Sequence, residues 1–181
     1  MSYQPLWING KQVSQGVRDT ENRYLAIANY LAGQTEFTVL DFGAHIGYFS
    51  RRLAAEFGAA CTAVDDHPRL EPTDGVQVIN ERLTAGGIRK LGKYDVVLCL
   101  SVLHHVPQWR AVFKALRDAG RIVFVETAHP DENLPKARMH HASADIHKTV
   151  EETGARILTW TRGYDKRFKR PLWVIDPELQ I

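Results

Sequence analysis

Val39-Leu40-Asp41-Phe42-Gly43-Ala44-His45-Ile46-Gly47-Tyr48-Phe49-Ser50 joins an apolar run to a glycine-bearing turn and then to a helical pattern. Phe37 to Phe42 reads as a buried strand. Gly43 and Gly47 let the backbone turn tightly and approach a ligand closely. The helix that follows extends to Phe57, with Leu53, Ala54 and Phe57 facing inward and Gly58 as its stop signal. Such a strand–turn–helix step, repeated, builds an α/β sheet.

The repetition is present downstream. Ala60–Asp65, Val76–Ile79, Tyr94–Leu100 and Arg121–Glu126 read as further strands. Two prolines between positions 66 and 75 leave room only for a loop or one short helical turn. Gly86-Gly87 makes 81–91 ambiguous. Pro107–Ala119 is the clearest helix, with Trp109, Val112, Phe113 and Leu116 in one stripe and Pro107 in its first turn. After a polar loop over 127–141, Ser143–Thr153 reads as a helix capped by Ser143. Ala155–Thr161 and Leu172–Asp176 read as two last strands joined by a basic loop. Upstream, Arg18–Gly33 is an amphipathic helix that Asp19 or Thr20 can cap. Leu6–Val13 carries an Asn-Gly hairpin signal and also suits an N-terminal arm. Near-continuous apolar strands alternating with helices mean a doubly wound parallel sheet covered on both faces, three layers in all. Ligands in such sheets bind beyond the carboxyl ends of the strands.

The 181 residues suit one domain over 1–181, with 1–18 as arm or hairpin and 19–181 as core, at roughly 150 residues per domain. A composition of 44% hydrophobic and 24% charged residues is globular and argues against disorder. No apolar run approaches the length of a membrane span, and no secretory leader is visible. Cys61 and Cys99 sit in strand-like apolar runs, which suits free thiols in a reducing cytoplasm. With 23 basic and 21 acidic residues, the net charge of +2 is too balanced to imply nucleic-acid binding.

The turn after the first strand is followed 22 residues after Gly43 by Asp65, with Asp66 beside it. A carboxylate about 20 residues beyond a glycine turn can accept hydrogen bonds from both ribose hydroxyls. Nicotinamide dinucleotides and S-adenosylmethionine both fit that pattern. The dinucleotide turn is G-x-G-x-x-G, because a pyrophosphate lies on it; Gly43-x-x-x-Gly47 is one glycine short. Asp41 also puts a negative charge beside the turn, unwelcome near pyrophosphate but suited to a ligand bearing ammonium and sulfonium groups. The residues therefore favour S-adenosylmethionine and leave an NAD-dependent oxidoreductase as the lesser alternative.

The stretch from Val39 to Ser50 resembles motif I of class I S-adenosylmethionine-dependent methyltransferases. Ala63-Val64-Asp65-Asp66 resembles their ribose-binding acid motif, and Tyr94–Val106 their fourth-strand motif with the segment after it. Gly154–Ile175 resembles their closing β-hairpin. The resemblance implies a seven-stranded sheet with its last strand inserted antiparallel. It implies that Asp41, Gly43 and Gly47 line the methionine part of the cofactor and Asp65 its ribose, with Asp66 able to share that role. Asn80 or Glu81 would lie near the adenine edge, and Leu100 and Ser101 beside the cofactor. The chain departs from the family in placing His45 where a middle glycine is common, and in nearly lacking a helix after the second strand.

The methyl acceptor would approach just past the fourth strand, where His104 and His105 lie. A histidine there can take a proton from a hydroxyl or amine as it is methylated. Glu126, ending the fifth strand, is a further acid or base candidate. Glu126, His129, His140, His141 and His147 match no compact ligand spacing, so no metal site is expected. Asp95 starts its strand, at the end away from chemistry, and reads as structural. Lys166, Arg167, Lys169 and Arg170 form a basic run that reads as a solvated loop, while leaving an RNA or another anion open as partner. Trp7 or Arg18 in the arm could cover the site or meet an acidic substrate group. The expected activity is methyl transfer to an unidentified oxygen or nitrogen acceptor. A non-catalytic module that keeps the fold for a partner is the alternative from another class. The sequence is silent on oligomeric state.

Overall fold

The computed structural model describes residues 3–132, 134 and 137–179. A two-stranded hairpin comes first, β1 (Trp7–Ile8) and β2 (Lys11–Gln12), antiparallel. Asn9 and Gly10 turn it with φ of 47° and 75°, the left-handed pair that a type I′ turn needs. Then follow α1 (Thr20–Tyr30), β3 (Thr38–Phe42), α2 (Tyr48–Phe57), β4 (Ala60–Val64), β5 (Val76–Ile79), α3 (Ala85–Leu91) and β6 (Tyr94–Leu100). The chain continues through α4 (Trp109–Ala119), β7 (Gly120–Glu126), α5 (Ser143–Glu151), β8 (Arg156–Arg162) and β9 (Lys169–Ile175). Three-ten turns stand at Leu103–His105, His140–Ala142 and Pro177–Leu179.

The main sheet has seven strands in the order β5-β4-β3-β6-β7-β9-β8. The first five are parallel, and β9 enters antiparallel between β7 and β8. Alternation along the strands sorts the core into two layers. Val39, Val96, Leu98, Ile122 and Phe124 face α1 and α2, meeting Tyr24, Ile27, Phe49 and Leu53. Leu40, Val97, Cys99, Val123 and Val125 face Ile88, Val112, Phe113, Leu116, Ile146 and Val150 of the other three helices. Both faces of each central strand are covered, which is why those strands read as unbroken apolar runs. Strand order reverses between β3 and β6, so their carboxyl ends open the crevice in which such sheets bind ligands.

Several boundaries differ from expectation, each for a local reason. Val106, held extended ahead of Pro107 with φ −106° and ψ 114°, delays α4 until Trp109, with Gln108 as the capping position. Ser143 is the first residue of α5 rather than its cap. The three-ten turn before it runs straight into the helix, and the Ser143 hydroxyl donates to the His140 carbonyl at 2.8 Å. Gly86-Gly87 does not prevent α3, because the Thr84 hydroxyl accepts from the Gly87 N–H at 3.3 Å and caps it. Asp95 is structural as expected, accepting from the Thr38 N–H and hydroxyl at 2.8 Å and tying β6 to β3. Both cysteines are buried free thiols, whose pKa values burial raises, that of Cys61 to about 12. Among the described residues no helix is long and apolar enough to cross a membrane.

Candidate active site

A cavity of about 720 Å³ opens at the carboxyl ends of β3, β4 and β6. That volume suits a small molecule, for which pockets run from roughly 300 to 1,000 Å³. The turn after β3 forms one wall. Gly43 holds φ +80°, and its N–H donates to the Val64 carbonyl at 2.8 Å. A Cβ built there would stand 2.3 Å from Val102 Cγ2, so the Val102 side chain, in the segment after β6, fills the space a side chain at 43 would need. Gly47, at φ +79°, delivers the chain into α2. Helix N-termini of this kind favour anionic groups.

Asp65 follows β4 and lines the cavity. One carboxylate oxygen accepts from the His45 N–H at 2.8 Å and the other from the His67 N–H at 2.9 Å. Each oxygen keeps a second lone pair, so the carboxylate is oriented by the backbone yet still able to accept two ligand hydroxyls. Asp66 lines the same wall and pairs with Arg82 at 2.6 Å. Glu81 also reaches the cavity, whereas exposed Asn80 does not line it. Of the two candidates at the end of β5, Glu81 is the one that lines the cavity. Leu100 and Ser101 form the floor.

Asp41 sits beneath the turn, fully enclosed, and accepts from the Ser50 hydroxyl at 2.6 Å. Burial raises its pKa to about 6, against the opposing pull of Ser50. It offers negative charge next to the cavity without forming its wall. His45 lines the cavity with φ 57°, in the left-handed region the family usually gives to glycine. Its ring stands 4.3 Å from that of His67 and 5.5 Å from that of Tyr3. Burial and the His67 charge lower its pKa to about 4, so it is a neutral cover at physiological pH.

The three acid–base candidates separate. His105 lines the cavity and is exposed. Burial, then the charges of Arg170 and Arg82, lower its pKa, leaving it neutral and able to accept a proton. His104 is buried and does not line the cavity, and burial lowers its pKa to about 2. Glu126 is a correction. Its carboxylate is buried and receives Arg18 at 3.0 Å on both oxygens, Arg23 at 3.2 Å, Thr161 at 2.7 Å and the Ser101 hydroxyl. Burial alone would raise its pKa, but the flanking guanidiniums and Ser101 hold it at about 2. Such a carboxylate is a structural anion, not a base.

Arg18 therefore meets Glu126 rather than a substrate, and Trp7 packs on Tyr48 and Arg52 without lining the cavity. Arg170, expected in a solvated loop, is buried in β9 and paired with Glu132 at 2.6 Å. Its nearest predicted role failed because its partner lies 38 residues away, in a loop with no periodic signal. Among the described residues no group of three or more His, Cys, Asp or Glu side chains could hold a metal ion. Wall residues that sequence reasoning missed include Tyr3, Leu83, Val102 and Arg138. Val102 alone had a signal, as the residue after the fourth-strand motif.

A family model described as a methyltransferase domain matches residues 16–165. Ubiquinone biosynthesis O-methyltransferase of Paraburkholderia xenovorans (strain LB400) is 37% identical over 91 residues, covering 44% of this chain and 38% of that protein. The chain spans about two fifths of the length of the curated relatives it matches. Among solved structures, the N-terminal domain of EvdMO1, determined with SAH and D-fucose, has a TM-score of 0.65 at 18% identity, over 96% of this chain and 90% of that one. Magnesium protoporphyrin IX methyltransferase (ChlM) from Synechocystis PCC 6803, determined with bound SAM, has a TM-score of 0.59 at 21% identity, over 86% and 76%. At these identities the structural likeness is one of fold.

Proposed function

The chain belongs to the family of methyltransferase domains, which draw their methyl group from S-adenosylmethionine, and from that premise we propose that its cavity binds this cofactor and serves methyl transfer to a small-molecule oxygen or nitrogen acceptor. The observation that carries the proposal is the shared wall of Asp65 and the Gly43 turn, an oriented carboxylate 22 residues beyond a tight glycine approach. Asp65 holds the ribose hydroxyls on its free lone pairs. Leu83 and Val102 give apolar walls for the adenine ring, with Glu81 at its polar edge. Asp41 faces the methionine ammonium through the turn, by charge rather than contact. The cofactor supplies an electrophilic methyl group on a sulfonium, which departs as a neutral thioether when an acceptor lone pair attacks. What remains for the protein is alignment, worth several kcal/mol in such reactions, and removal of the acceptor's proton. His105 does the second, taking it on a ring nitrogen that is neutral at pH 7.

Two members of the basic run are engaged within the protein, Arg170 with Glu132 and Arg167 with Asp165, each at 2.6 Å, while Lys166 and Lys169 are exposed. O-methyl transfer is the named activity of the curated relatives.

The test is incubation of the protein with S-adenosylmethionine and a panel of phenols, carboxylic acids and amines, following S-adenosylhomocysteine formation. Turnover is expected with at least one acceptor. His105→Gln is expected to lower kcat by about 100-fold or more, the usual range for a general base, with cofactor affinity unchanged. The wild-type rate should fall as pH drops below the ordinary histidine value and stay flat above it. Cofactor binding without turnover on any acceptor would favour the non-catalytic alternative.

A further inference from the structure

The N-terminal arm is folded tightly on itself. The Val13 N–H donates to the Leu6 carbonyl at 2.9 Å and the Leu6 N–H to the Ser14 hydroxyl at 2.8 Å. A Cβ at Gly16 would fall 2.6 Å from the Pro5 nitrogen, so the two limbs of the arm are in backbone contact. Two anchors tie this unit to the body. On one side Trp7 lies on the Arg52 guanidinium at 4.5 Å, which itself covers the Tyr24 ring at 3.7 Å. On the other, Arg18 reaches Glu126 at the end of β7, and both side chains are buried. Tyr3 hangs between the anchors. Its carbonyl accepts from the Arg18 N–H at 3.3 Å, its ring stands 5.6 Å from the Arg18 guanidinium, and its ring forms part of the cavity wall beside His45.

Glu126 also connects the latch to the cavity floor. Ser101 lines the floor, donates its hydroxyl to Glu126 and accepts from Arg170 at 2.9 Å. Its φ of 62° places it in the left-handed region, and its N–H is held by the Glu126 carbonyl at 3.0 Å. A single buried carboxylate thus fixes a residue of the floor and, through Arg18, a residue of the wall.

Taking the cavity as the cofactor site, we propose that Tyr3 is a positioning residue that closes the wall over the Gly43–His45 turn and slows release of bound cofactor, and that Arg18 and Glu126 act through it as the latch of the N-terminal arm. The aromatic ring is the working part, since the ring is what stands 5.6 Å from the Arg18 guanidinium and 5.5 Å from the His45 ring.

Stopped-flow dissociation of S-adenosylhomocysteine from the full chain tests this, with apo melting temperature as the control for folding. Tyr3→Ala is expected to release the ligand about tenfold faster, since such changes act mainly on dissociation, with the apo melting temperature unchanged. Tyr3→Phe should release it at the wild-type rate. Arg18→Lys, which keeps the charge but replaces the planar guanidinium whose Nη2 bonds both Glu126 oxygens and which stands against the Tyr3 ring, should also speed release, and adding Tyr3→Ala to it should bring no further change. A wild-type rate in Tyr3→Ala overturns the inference, as does simple additivity of the two changes. A wild-type protein that binds no S-adenosylhomocysteine overturns the cofactor reading and the latch together, whereas binding with unaltered release in Tyr3→Ala overturns the latch alone.

Discussion

Asp41 carries its charge in an enclosed site with one hydroxyl to stabilise it. Its folded pKa of about 6 stands above the 3.8 of a free aspartate. The sign of the linkage follows. Between those values the folded chain binds a proton that the unfolded chain releases, so stability falls as pH rises through that window and is level above it. Ionised Asp41 costs on the order of 3 kcal/mol at neutral pH. Asp41→Asn, which can still accept from Ser50, should therefore raise the melting temperature at pH 7.5 and weaken S-adenosylhomocysteine binding. In the wild type that binding should weaken below about pH 6, as Asp41 takes up its proton; in the variant it should not. Equal melting temperatures at pH 7.5 would show that the charge costs nothing. Asp41, Gly43 and Asp65 were legible in the sequence because each answers to local chain geometry, a strand end or a turn. His45 was legible only as a departure, and its neutral state comes from burial that no spacing reveals.

At the scale of elements, β7 ends in a carboxylate that four other parts of the chain share. Glu126 closes the strand, Arg18 and Arg23 come from the arm and α1, Ser101 follows β6, and Thr161 belongs to β8. Sequence reading found the acid at the strand end and gave it a proton-transfer role. Its partners lie 108 and 103 residues away, and opposite charges at such separations leave no pattern in a chain. Removing one member of a buried ion pair leaves the others uncompensated, at a cost of about 3–5 kcal/mol. Glu126→Ala should be destabilised by that amount in urea unfolding at pH 7. Because Glu126 titrates well below the 4.5 of a free glutamate, its contribution is complete above that value and is lost as pH falls toward about 2. A loss under about 1 kcal/mol at pH 7 would mean that the network is incidental. The parallel strands were read to within a residue, since coverage on both faces writes an unbroken apolar run, whereas β9 begins at Lys169, three residues before its expected start, because Lys169 and Arg170 interrupt the apolar pattern. Helix starts were read less well, because Pro107 and Ser143 obey what precedes them.

The whole molecule is a sheet whose functional edge is assembled from both ends of the chain. The turns after β3 and β4 and the segment after β6 line the cavity, and the N-terminal arm and C-terminal hairpin meet over the end of β7. The alternation of strands and helices, and the closing hairpin, could be inferred from sequence because each rests on local periodicity and order. The place of Tyr3 on the cavity wall could not, because a short arm has no periodicity and its position rests on two long-range anchors, Trp7 on Arg52 and Arg18 on Glu126. The molecule also explains why Arg170 and Glu132 are buried together: they pin the loop after β7 to the hairpin, where Gly163 leaves room for the Glu132 carboxylate that a Cβ would meet at 2.6 Å.

The most direct test of cofactor identity is calorimetric titration of the purified protein with S-adenosylhomocysteine, in parallel with NAD and with an Asp65→Ala variant. Saturable binding of S-adenosylhomocysteine is expected, weakened at least tenfold in the variant by loss of two hydrogen bonds to the ribose at about 1 kcal/mol each, with no saturable binding of NAD. Tighter binding of NAD, or undiminished binding of S-adenosylhomocysteine by Asp65→Ala, would contradict the assignment of this cavity.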